Sequence, residues 1–133
     1  MISLSTARRL RDAGLPWVPG DGDRFVLPDR DMDGEVFTIS EMVVEVRDAP
    51  VGRMIAFNGT TEWALDAVEQ AEAIWLPSET QLREGLGDAL LSLVRAEDGW
   101  RCTVKVGRQL LEVAAGDAEE AYADALLRLL EHD

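Results

Sequence analysis

The stretch "PDRDMDGEVFTISE", residues 28–41, sets Asp29, Asp31 and Asp33 two positions apart and follows them with Gly34. A helix-loop-helix calcium loop begins in this way. Alternate carboxylates supply oxygens at positions one, three and five, glycine makes the turn at six, and a main-chain carbonyl, here that of Glu35, adds one at seven. The twelfth position calls for a bidentate glutamate. It is Ser40, and the carboxylate arrives one residue late at Glu41. Asp29, Asp31, Asp33, Glu35 and Glu41 are thus the candidate ligands for calcium or another hard cation. The competing reading is an acidic connection between two strands, in which Asp and Gly serve turn geometry. Strand-like runs flank the segment, which favours the turn.

Other chemistry is thin. His132 is the only histidine and stands at the penultimate position, so neither a Ser-His-Asp nor a Cys-His arrangement is available unless the tail folds back. Cys102 is the only cysteine, which excludes an internal disulfide and any multi-cysteine zinc site. Its place on the inward side of a strand-like run marks it as a small core residue. Neither G-x-x-x-x-G-K-[ST] nor G-x-G-x-x-G occurs, so no phosphate cradle is recognisable. The expectation is a non-catalytic protein without an organic cofactor. Among the tryptophans, Trp63 and Trp100 fall at inward positions. Trp17, in a Pro/Gly loop, and Trp75, just before Pro77, are less constrained. They either pack the first loop and "IWLP" onto the fold or anchor a partner.

The elements that must position these residues follow from periodicity. Residues 6–13 read as a short helix, with Ser5 as N-cap and Gly14 as the stop. "LPWVPGDGD" is a loop, and "RFVLP", "EVFTIS", "MVVEV" and "GRMIAF" read as an antiparallel meander. Trp63, Ala67 and Ala71 lie four apart, which predicts an amphipathic helix over 61–72. Ile74 to Leu76 reads as a short strand. Ser78 and Gln81 have capping-box spacing at the head of another helix. "ALLSLVRAEDGWRCTVKV" admits helix or hairpin. Asp98-Gly99 favours the hairpin, with Leu91 opposite Val106, Leu93 opposite Val104, and Trp100, Cys102, Val104 and Val106 on one face. "QLLEVA" is a third strand. A closing helix follows, with Asp117 and Glu120 as its capping box and Ala121, Ala125, Leu126, Leu129 and Leu130 as its buried stripe. The sum is one α+β domain over residues 1–133: two small antiparallel β-meanders, each followed by an amphipathic helix, behind a short N-terminal helix.

Charge bounds the partners. The chain carries 13 basic and 26 acidic residues, a net of −13, with about +1 in residues 1–24, −8 in 25–72 and −6 in 73–133. Such a surface repels nucleic acid and anionic lipid and favours cations or basic and mixed-charge protein surfaces. No apolar run reaches the ~20 residues of a membrane helix, and the first residues lack a signal-peptide core, so a cytoplasmic chain is expected.

"FNGTTEWALDAVEQAEAIWLPSETQLRE", with the flanking "PDRDMDGEVFTISEM" and "AEEAYADALLRLL", resembles a group of small acidic actinobacterial proteins that often carry a pilus-assembly label. They share that label in name with the larger CpaE proteins, whose MinD-related ATPase domain has no counterpart here. The resemblance implies a cytoplasmic, non-enzymatic protein and assigns no site residues. The leading expectation is an acidic accessory or regulatory domain that binds another protein through the acidic stretch Asp29 to Glu45, with Trp17 or Trp75 as an apolar anchor. A calcium module and a nucleic-acid mimic that inhibits a basic protein are the alternatives.

Overall fold

Three cap-capable residues, Ser3, Ser5 and Thr6, precede the first apolar periodicity, and the choice among them sets where the chain begins to coil. In the computed structural model Ser3 wins: its hydroxyl accepts the Thr6 amide at 3.1 Å and opens helix α1, Leu4–Asp12, two residues earlier than Ser5 would. The structure describes all residues except 29–35, 40–42, 50–51, 59–66, 70–72 and 133, and describes only the backbone of the strands within 43–69.

The architecture is α+β, with strands β1 (Arg24–Val26), β2 (Val36–Thr38), β3 (Val43–Ala49), β4 (Gly52–Asn58), β5 (Ala67–Glu69) and β6 (Ile74–Leu76) leading to helix α2 (Glu79–Leu86). After a single 3-10 turn come β7 (Leu90–Ala96), β8 (Gly99–Val106), β9 (Gln109–Ala115) and helix α3 (Ala118–Leu130). Two antiparallel meanders, β3-β4-β5 and β7-β8-β9, are present, and helices α2 and α3 follow them in sequence. A third sheet, ordered β2-β1-β6, corrects the expectation that the first four strand-like runs form one meander. β2 pairs with β1 and β3 with β4, so the second and third runs belong to different sheets.

The expected helix over 61–72 is also corrected. Ala67–Glu69 form β5, with Ala67 opposite Ala56, Val68 opposite Ile55 and Glu69 opposite Met54; the other residues of 61–72 lie outside the described residues. Pairing to the free edge of β4 overrides the four-residue spacing of Trp63, Ala67 and Ala71.

By contact the chain divides into two compact units, Trp17–Leu76 and Met1–Pro16 with Pro77–Asp133. In the second, α2 begins as its sequence foretells. The Ser78 hydroxyl accepts the Gln81 amide at 3.2 Å, and the Gln81 side chain accepts the Ser78 amide at 2.9 Å. The capping box of α3 is only half made. Asp117 accepts the Glu120 amide at 2.8 Å, but the Glu120 carboxylate reaches to α1, accepting from the Ser3 amide at 2.7 Å and the Thr6 hydroxyl at 2.8 Å. Those partners stand 117 and 114 positions away, so no local pattern announces them.

Helix α3 contacts α1, α2, β8 and β9. Ala121, Ala125 and Leu126 are buried as expected, but Tyr122, Ala123 and Leu127 are buried too, while Leu129 and Leu130 are only half-buried. A helix covered on several sides needs an apolar belt wider than one stripe.

Residues 90–96 form a strand, but in a different register from that expected. The loop is Glu97-Asp98, with Ala96 opposite Gly99 and Leu93 opposite Cys102 rather than Val104. A register shift between Leu90 and Ser92 then leaves Leu91 half exposed instead of opposite Val106. Gly99 explains the choice. Its φ is 144°, and a Cβ there would collide with the Ala115 carbonyl, so glycine serves a close crossing beside the turn rather than the turn itself.

Candidate functional site

The sequence singled out two tryptophans, an acidic loop and a strand glutamate, and the structure treats them differently. Asp29, Asp31, Asp33, Glu35 and Glu41 lie outside the described residues. Among the described residues no group of three His, Cys, Asp or Glu side chains could hold a metal ion. Glu45 lies on β3, opposite Ala56.

Trp17 and Trp75 come together. The register of β2-β1-β6 sets Phe37, Phe25 and Trp75 side by side across the sheet, and directly opposed residues share a face. Trp17 reaches this row from the Pro/Gly loop. Its ring lies 6.1 Å from that of Trp75 at an interplanar angle of 8°, and 5.9 Å from that of Phe25. Its indole N–H donates to Asp23 at 2.9 Å, and the same carboxylate oxygen accepts the Gly20 amide at 3.1 Å, so a buried acid ties the loop to the rings. Phe25 is fully buried, while both tryptophans remain half exposed. Among the described residues the buried Trp75 indole nitrogen has no hydrogen-bond partner.

Cys102 is fully buried on β8, and burial pushes its thiol above the ordinary range, which keeps it protonated at neutral pH and unsuited to nucleophilic attack. His132 packs its ring over Gly107, whose φ is 61°; a Cβ on that glycine would press on the imidazole.

The second unit presents a surface that the sequence reading missed. One face of β7-β8-β9 carries the buried Cys102, Val104 and Val106. On the other, the register aligns Val94 with Arg101 and Ala114, Ser92 with Thr103 and Glu112, and Lys105 with Leu110. This face is open: Val94 is 57% and Leu110 66% exposed. Arg101 and Glu112 form an exposed ion pair at 3.7 Å, and Lys105 extends the charge along the central strand. The signal was present but ambiguous. "QLLEVAA" is apolar at both odd and even positions, so alternation alone does not say which leucine faces inward.

No protein-family model matches the chain, and no curated protein or solved structure is significantly similar to it. No helix among the described residues is long and apolar enough to cross a membrane.

Proposed function

We propose that this protein is a non-catalytic acidic domain that binds another protein, in an accessory or regulatory role. The observation that carries the reading is the open face of β7-β8-β9, where Val94 and Leu110 stand more than half exposed around Arg101, Lys105 and Glu112. A sheet face that mixes uncovered apolar side chains with both charge signs suits a partner surface with a small apolar patch and a mixed-charge rim. The excess of acid in residues 25–72 adds long-range attraction for a basic partner. The resemblance to pilus-labelled actinobacterial proteins is compatible with an accessory role and names no partner.

The test is capture of partners from nuclease-treated lysate of the source organism, in calcium and in chelator, by the wild type and by V94D/L110D. A stoichiometric partner retained by the wild type in both buffers and lost by the double variant, at unchanged thermal stability, is the expected result. Retention in calcium alone would move the function to the 29–41 loop. No partner under any condition would overturn the reading.

A further inference from the structure

A second surface of the same unit has a more specific chemistry. A groove of about 480 Å³ opens between the start of β9 and the last turn of α3. Its floor is Val106 and Leu111; its rim holds Arg108, Arg128 and His132. In a chain of net charge −13 this gathering of two guanidiniums and the only imidazole runs against composition. Among the described residues neither arginine has an ion-pair partner within 4.0 Å. Glu131 also lines the groove, Asp124 lies near Arg128 one turn earlier on α3, and the negative end of that helix adds about half a charge, so the arginines are opposed by acid without being held in an ion pair. His132 can donate a hydrogen bond in either protonation state.

The groove adjoins an unused sheet edge. β9 pairs with β8 alone, and among the described residues nothing hydrogen-bonds to its outer side over Gln109–Ala115. It carries no proline, no lysine and no bulge, and its one charge, Glu112, is paired with Arg101, whereas β7, at the opposite edge, has an irregular register at Leu90/Ser92.

We propose that β9 and this groove together bind the carboxyl-terminal segment of another protein, added to the sheet as an antiparallel strand; the proposal rests on the protein-binding reading above. Direction decides the chemistry. β9 runs from Gln109 to Ala115, so an antiparallel guest begins beside Ala115 and ends beside Gln109, at the arginines. A chain that stops there presents a carboxylate to Arg108 and Arg128 and lays an apolar last side chain on Val106 and Leu111. A parallel guest would bring its amino terminus to the same cations. A free inorganic anion would leave both the edge amides and the apolar floor unused.

The rim is exposed, so an affinity on the order of 10–100 μM is expected. The test selects ligands for the full chain from a library of random heptapeptides with free carboxyl termini, then titrates the enriched peptide as free acid and as amide. Amidation weakens binding at least about tenfold, and R108Q/R128Q weakens the free acid by about as much. Amide resonances of residues 109–115 shift on binding, and those of β7, at the opposite edge, do not. Amidation acts on the ligand, so this readout survives any change in the variants' folding. No enrichment, equal binding of acid and amide, or free-acid binding unchanged in R108Q/R128Q would each overturn the groove. So would self-association through β9 that the peptide does not displace. A lysate partner retained by the wild type and lost by V94D/L110D, with no peptide enriched by the full chain, overturns the groove while leaving the protein-binding reading intact.

Discussion

The sheet β7-β8-β9 is built from strands that follow one another through the two-residue connections 97–98 and 107–108. The sheet β2-β1-β6 instead takes its third strand from 50 positions along the chain, pairing Phe25 with Trp75. The first has strands of seven or eight residues, and the second has strands of three. A short strand buries little by itself, so what holds the second sheet is the aromatic row Phe37-Phe25-Trp75 with Trp17 laid over it. Each such ring pair adds about 0.5–1.5 kcal/mol beyond its buried area. One sheet is assembled from neighbours in sequence, the other from four rings that meet only when a long loop closes.

Removing the centre of that row is the strongest way to break the contrast. Phe25→Ala deletes a fully buried ring that touches both Trp17 and Phe37, and a loss of about 3–5 kcal/mol is expected in denaturant titrations followed by tryptophan fluorescence. Because the pairing of β1 with β6 closes a long loop, most of that loss should appear as faster unfolding. If folding slows instead by most of the effect, the aromatic row forms early and the distinction between local and non-local sheets fails.

A smaller loss tests the same idea inside the unit that looks local. Glu120 holds α1 to α3 through one carboxylate with two donors, Ser3 N–H and Thr6 O–H, from the far end of the chain. Glu120→Ala is expected to cost about 2 kcal/mol, and Glu120→Gln about half of that, since the amide oxygen can replace only one acceptor. Hydrogen exchange checks where the cost falls. The amides of α1 should exchange faster in both variants, while those of β8 keep their protection. Equal loosening of β8 would mean that the meander depends on the distant contact as well.

This division also separates what the sequence made legible from what it did not. Ser78 and Gln81 are three apart and form both bonds of their box, because each finds its partner within one turn. Trp100, Cys102, Val104 and Val106 share the expected face, because period-two alternation is a property of the strand alone. Where the partner is remote, local rules misled. Glu120 left its box for Thr6, and Ala67–Glu69 became a strand against β4. The candidate surfaces follow the same logic. Trp17 and Trp75 stood out as unconstrained aromatics, yet the stack between them spans 58 positions. The open face of β7-β8-β9 stayed hidden because both faces of β9 are apolar, and the Arg108–Arg128–His132 rim because its members come from a turn and a helix end.

The smallest effect lies on the seam between α1 and α3. Asp124 is off the expected apolar stripe of α3, yet it is half-buried, with Arg9 of α1 and Arg128 nearby. Burial raises its pKa above the ordinary value of 3.8, Glu120 raises it further, and the two arginines only partly offset this. The folded protein therefore binds this proton more tightly than the unfolded chain does. Below about pH 3.8 both states are protonated and the acid adds no penalty. As pH rises through the interval from that value to the raised one, the unfolded chain ionises first and stability is lost; above the interval the penalty is constant. Asp124→Asn removes it, so the variant should melt slightly higher than the wild type at pH 7, and the gap should close as the two are titrated below pH 4. A gap that persists at low pH would mean that the substitution acts through packing against α1. A variant less stable at pH 7 would mean that Arg9 and Arg128 outweigh burial, making Asp124 one more remote bond holding the two helices together.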